Sequence, residues 1–224
     1  MKMKLSKPFY FSVEGETEDW YLQWLSKSIN ALPQAKFKSS FDCKIEKDPL
    51  SRAKGISVLG KTEIFHIFDR ESEEQVHVQQ FETTLRRMKD AQDIGKTIKY
   101  SLGYSNFAFD LWMVLHKADC TGSLSYRHQY LGSINRAYQE HFSDMDEYKK
   151  EKNFKRLLAK LTLDDVCTAI NRADRIMEMN RENGCPEQHF CGYSYYTVNP
   201  SLSIGEVVKS IFKQCKIPPY DRNR

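Results

Sequence analysis

The 224-residue sequence has no apolar run approaching the ~20 residues that cross a bilayer. Its first residues, MKMKLSKPFYFSVEGE, carry no long apolar segment followed by a small-residue cleavage site. A membrane-spanning or secreted chain is therefore disfavoured, and the expected location is the cytoplasm. No Walker A motif is visible, which argues against ATP hydrolysis of the P-loop kind. Internal repeats and low-complexity linkers are missing too. The formal charge of +4 is too mild for a protein that coats nucleic acid over its whole surface, so any nucleic-acid site has to be local. The six cysteines are scattered, and without a secretory signal they read as thiols in a reducing compartment.

With 40% hydrophobic and 29% charged residues, the chain can bury one sizeable core, or one core with an appended subdomain. Its first half alternates strands and helices. Phe9–Val13 is rich in aromatic and β-favouring residues between Pro8 and Gly15 and reads as a buried strand. From Thr17, a candidate helix cap, Tyr21, Leu25, Ser28 and Leu32 fall at helical spacing, with Glu18 and Asp19 placed favourably in the first turn. Further strands are expected at 41–46, 63–68 and 97–102, with a helix through Val78, Phe81, Leu85 and Met88 and a weakly defined segment over 50–60. Such alternation signals an α/β fold with a parallel sheet, whose ligand lies beyond the carboxyl ends of the strands.

The second half changes character. The apolar run FAFDLWMVLH (107–116) encloses Asp110 and suits a buried helix or a strand. From Leu124 the pattern is helical: Tyr130, Leu131, Ile134 and Tyr138 form one face, and Leu163, Val166, Cys167 and Ile170 another. Thr162 with Asp165 resembles a helix start. A last helix carries Ile204, Val207, Val208, Ile211, Phe212 and Cys215 on one stripe, opened by a Ser203…Glu206 capping box and stopped by Pro218-Pro219. The division expected is a core over 1–104 and a mainly helical subdomain over 105–224.

Glu14 and Asp69 both fall at carboxyl ends of expected strands. In extended chain Asp69 and Glu71 would face one space while Arg70 points away, so three acids would converge. Two such charges about 4 Å apart repel by roughly 4 kcal/mol at an effective dielectric near 20, which calls for a proton, a basic residue or a cation. An oxygen-only donor set suits Mg²⁺ or Mn²⁺, which could polarise a phosphodiester while Glu14 shuttles a proton. Acids at strand ends also serve as caps and turn formers, and DRESEE alone fits the polar start of a helix.

Other features have plain alternatives. Lys149, Lys150, Lys152, Lys155, Arg156 and Lys160 form either a solvated helix face or a phosphate track. Cys185, His189 and Cys191 would need a fourth ligand, such as Cys167 or His116, to hold zinc, and otherwise read as small buried or surface residues. Asp110, Asn106 and His116 are secondary candidates: Asn106 for binding phosphate or capping a helix, His116 for a site or a satisfied core position. The tyrosines of GYSYYTV (192–198) would stack bases or pack between helices, and Asn199-Pro200-Ser201 turns the chain into the final helix.

VEGETED, IFDRES, YSNFAFDLWMVLH and NPSLSIGEVV, in that order from Phe9 to about Phe212, resemble the blocks of the RloB-like (AbiLii-type) family. The resemblance implies a Toprim-like sheet in which Glu14, Asp69 and Glu71 are catalytic and bind divalent metal, with Asp110 as a further ligand. Glu71 stands where the Toprim element has a second aspartate. In the block SNPxFExW this chain has Ser105-Asn106-Phe107-Ala108-Phe109-Asp110-Leu111-Trp112, without the proline and with Asp110 for glutamate. The family is associated with restriction loci and abortive phage infection, often beside an ABC-type ATPase. It thus implies a metal-dependent nuclease of RNA or DNA acting as an antiphage effector. The main alternative is a non-catalytic nucleic-acid-binding or sensor subunit of an ATPase-containing defence complex, and a third is another phosphoryl-transfer activity.

Overall fold

The structure is a computed structural model that describes residues 4–57, 60–120, 122, 124 and 126–220. Its first half runs β1 (Ser6–Val13), α1 (Glu16–Ala31), β2 (Lys38–Ile45), α2 (Pro49–Gly55), β3 (Thr62–Arg70), α3 (Gln75–Asp90) and β4 (Ile98–Asn106). The second half contributes α4 (Asp110–Leu115), α5 (Tyr130–Tyr138), α6 (Met145–Lys149), α7 (Glu151–Leu158), α8 (Leu163–Glu182), the hairpin β5 (Glu187–Phe190) and β6 (Tyr193–Tyr196), β7 (Ser201–Leu202) and α9 (Ile204–Cys215). One sheet has the order β2-β1-β3-β4-β7, with the first four strands parallel and β7 antiparallel against β4. This is the expected α/β class.

Alternation along the strands sorts the two faces. Phe9, Phe11, Val13, Phe65 and Ile67 point into a cluster shared with α1, α4, α8 and α9, while Ile64, Phe68, Tyr100 and Tyr104 pack under α2, α3 and the hairpin. The first cluster runs from Phe9 to Ile217, so the halves 1–104 and 105–224 share one core. The exposed edge at β2 is partly covered: the Asn30 side chain bonds both the N–H and the C=O of Ser39, and Arg52 donates to the Asp42 carbonyl.

Several local expectations are revised. Gly15, not Thr17, is the N-cap of α1, and the Thr17 hydroxyl donates to Glu18 at 2.8 Å. The 50–60 segment contains α2, capped by Asp48, while residues 58 and 59 lie outside the described residues. The run 107–116 resolves into the short buried helix α4. Helical structure expected from Leu124 begins later, with a 3-10 turn at Arg127–Gln129 before α5; residues 121, 123 and 125 lie outside the described residues. Ser203 does not cap α9 with its side chain. Its hydroxyl instead accepts the Tyr104 N–H and donates to the Leu102 carbonyl, locking α9 to β4. The Thr162–Asp165 box does form at the start of α8. Tyr195 and Tyr196 are buried in or beside the hairpin, with Tyr195 edge-on to Phe81 at 4.9 Å between ring centroids.

Candidate active site

β2 lies on one side of β1 and β3 on the other, so the strand order reverses between β1 and β3. In open α/β sheets this is where a crevice opens at the carboxyl edge. Glu14 follows the last residue of β1 and Asp69 is the penultimate residue of β3. The Asp69 N–H donates to the Glu14 carboxylate at 3.3 Å across that boundary. Two helices that begin at the same edge add acids: Glu18 in the first turn of α1 and Asp110 in the first turn of α4, both buried. Ser105 stands in register with Asp69 on the neighbouring strand and shares its face of the sheet.

Their electrostatics show how close these groups are. Burial, and then the charges of Glu18, Glu14 and Asp110, push the Asp69 carboxyl well above the usual range, with Lys149 opposing. Burial lifts Glu14 from 4.5 to about 7, against the Asp69 amide bond and with Glu18 adding repulsion. Burial also raises Glu18, while hydrogen bonds from its own backbone and Thr17, together with Lys149, pull it down. The Asp110 side chain is 2% exposed, its Oδ2 has no hydrogen-bond partner, and the Lys149 ammonium stands 3.7 Å away. The Ser105 hydroxyl is also buried without a partner.

Glu71 lies beyond the end of β3. The strand ends at Arg70, and the Glu71 carboxylate, 37% exposed, lies 3.4 Å from His77 Nε2 in α3 while its charge still reaches Glu14. Arg70 points to the opposite face as expected, forked onto Glu73 and donating to the Thr197 carbonyl.

Asn106 is buried: its amide nitrogen shares its two N–H groups among the Tyr196 and Val198 carbonyls and the Ser201 hydroxyl, all at 2.8–3.0 Å, while its Oδ1 has no hydrogen-bond partner. His116 is a core residue. Its Nδ1 donates to the Trp112 carbonyl and its Nε2 therefore accepts from the Tyr21 hydroxyl, and burial holds it down at about 4. The thiols of Cys185, Cys191 and Cys167 are free, and His189 bonds Ser194.

Among the described residues, no three His, Cys, Asp or Glu side chains are arranged to hold a metal ion. In donor chemistry the cluster nevertheless fits a hard divalent cation. Glu14, Glu18, Asp69 and Asp110 offer oxygen only, repel one another, and include a buried oxygen without a partner. Two members escaped the sequence reading. Glu18 sits on the inward stripe that continues through Tyr21, Leu25 and Ile29, and an acid on an apolar stripe is the signal that identifies it. Lys149 was submerged in a basic run of which three other members pair with glutamates: Lys155 with Glu151, and Arg156 and Lys160 with Glu140.

Residues 9–211 match the RloB-like protein family, and the chain belongs to it. No curated protein and no solved structure matches. No helix among the described residues is long and apolar enough to cross a membrane.

Proposed function

We propose that this RloB-like protein is a divalent-metal-dependent nuclease of the Toprim kind, hydrolysing phosphodiesters of RNA or DNA as an effector of antiphage defence. The observation that carries the reading is the charge imbalance at the carboxyl edge of the sheet. Four carboxylates from the ends of β1 and β3 and the first turns of α1 and α4 gather there. Burial and neighbouring acids raise the proton affinity of Glu14, Glu18 and Asp69, and the ammonium groups of Lys47 and Lys149 oppose that rise. A fold tolerates such repulsion where function requires it.

Asp69, Glu18 and Asp110 would hold Mg²⁺ or Mn²⁺, with Glu14 contributing as far as its proton permits. When bound, the metal supplies Lewis-acid polarisation of the phosphoryl oxygen and charge for the departing one. Glu14, held at about 7, exchanges a proton at neutral pH and so suits a general acid or base at this edge. Its bond to the Asp69 amide fixes the carboxylate in position. The defence role, and an ABC-type ATPase as partner, are brought by the family resemblance.

Calorimetric titration of Mn²⁺ into wild type and Asp69→Asn tests the site without substrate or ATPase. Saturable binding that Asp69→Asn weakens at least tenfold supports the reading. Wild type that binds no Mn²⁺ favours a non-catalytic nucleic-acid-binding subunit instead.

A further inference from the structure

Among the described residues, two partly buried lysines each close on an aspartate. Lys209 meets Asp174 at 2.6 Å and Lys117 meets Asp165 at 2.9 Å, with lysine side chains 23% and 27% exposed. Lys149 differs. Its ammonium stops 3.7 Å from Asp110 Oδ2, beyond hydrogen-bond distance, although that oxygen is buried and makes no closed hydrogen bond, with the buried Tyr148 hydroxyl the other group acting on the Asp110 carboxylate. The side chain is 36% exposed, so the ammonium lies between the buried carboxylates and solvent.

The backbone beneath it is firmly held. Asp144 caps α6 by accepting the Glu147 N–H at 2.7 Å, and the Asn153 side chain donates to the Glu147 carbonyl at 2.7 Å. Neighbouring Tyr148 is fully buried against Phe142 and Phe154. A fixed stem with a loosely engaged cationic head is how a lysine is presented to a ligand rather than to an internal partner.

An anionic substrate approaching four carboxylates is repelled unless cations meet it at the rim. Of the basic residues in 147–160, Lys155, Arg156 and Lys160 are paired with glutamates, whereas Lys149 leans into the site. We infer that Lys149 is a substrate-binding residue whose ammonium takes a non-bridging oxygen of the scissile or adjacent phosphodiester, with Asp110 setting its direction. This deepens the nuclease reading and rests on it.

The test is fluorescence anisotropy of labelled single-stranded RNA and DNA oligonucleotides in EDTA, where no cleavage occurs, with wild type and Lys149→Gln. A Lys149→Gln, Asp110→Asn double variant guards against misfolding from an unpaired buried carboxylate. Loss of one charge-assisted contact weakens binding roughly ten- to a hundredfold. It also lowers the slope of log affinity on log salt by about 0.7. Wild-type affinity and slope in both variants, on both nucleic acids, overturn the inference and leave Lys149 as the counter-ion of Asp110. If wild type binds neither oligonucleotide in EDTA nor with non-catalytic Ca²⁺ supplied in its place, the nuclease reading falls and the inference with it, so the two failures are distinguishable.

Discussion

The carboxylate of Glu14 accepts the backbone N–H of Asp69 at 3.3 Å, tying the ends of β1 and β3 together where the strand order reverses. The bond favours the ionised form of Glu14, yet the group is still lifted from 4.5 to about 7 because burial dominates. The Asp69 carboxyl beside it is also raised well above its usual range, by burial first and then by Glu18, Glu14 and Asp110. Burial and mutual repulsion of these acids therefore cost the fold stability at this edge.

Neutralising the cluster should make the protein more stable at high pH. A carboxyl raised in the folded state costs nothing below its unfolded value of 4.5. The cost grows as pH climbs to about 7 and is complete above it, reaching at most about 3 kcal/mol for Glu14. Glu14→Gln, which keeps an acceptor for the Asp69 amide, should gain about 1–3 kcal/mol in urea unfolding at pH 8 in EDTA. Near pH 4.5 it should gain almost nothing. Asp69→Asn should shift in the same direction. A loss of stability at pH 8 for Glu14→Gln would contradict the repulsion described here.

Gly15 sets the position of Glu18. A Cβ at Gly15 would stand 3.2 Å from Glu18 Oε2, tighter than an ordinary contact, so the carboxylate must give way. The backbone at Gly15 is extended and suits any residue, which separates this effect from backbone strain. Gly15→Ala should therefore change the unfolding free energy by less than about 1 kcal/mol while weakening Mn²⁺ binding severalfold. Unchanged Mn²⁺ affinity by calorimetry would remove Glu18 from the ligand set.

Where sequence reading worked here, a local period coincided with the fold. Alternation placed Arg70 opposite Asp69, and the α/β succession put Glu14 and Asp69 at one edge. One residue later the strand period no longer governs direction, because β3 ends at Arg70; Glu71 lies 3.4 Å from His77 while its charge reaches Glu14. Asn106 could not be assigned from its neighbours, since its three partners lie 90 to 95 residues further along the chain. Lys149 was equally hidden: only the packing of α6 against the site distinguishes it from the paired lysines around it.

Asn106→Ala tests the structural role of that residue against a phosphate-binding one. Its amide holds the Tyr196 and Val198 carbonyls and the Ser201 hydroxyl, and the Tyr130 hydroxyl fastens the Asn106 carbonyl. Removing the side chain leaves buried acceptors unpaired, and a loss of about 2–4 kcal/mol is expected. Hydrogen exchange in 196–202 should accelerate. If stability and exchange stay at wild-type levels while oligonucleotide binding drops, the phosphate-binding role would stand instead.

Two of the six histidines should resist protonation well below neutrality. His66 in β3 is fully buried, with Nδ1 2.6 Å from the Ser12 hydroxyl and Nε2 without a partner, and burial holds it down at about 3. His116 is held at about 4 by the same cause. For such groups the stabilising contribution is full above the unfolded value of 6.5 and is lost as pH falls toward the folded one. At pH 5 each costs about 2 kcal/mol. Total stability is a poor readout, because Glu14 and Asp69 gain stability over the same interval as their repulsion is relieved. The imidazole proton resonances report the two residues directly. From pH 8 to 5, with the fold intact, those assigned by His66→Gln and His116→Gln should not shift. A titrating His116 resonance would mean that its bonds to Tyr21 and Trp112 open readily, and that the core beneath the carboxylates is looser than its packing indicates.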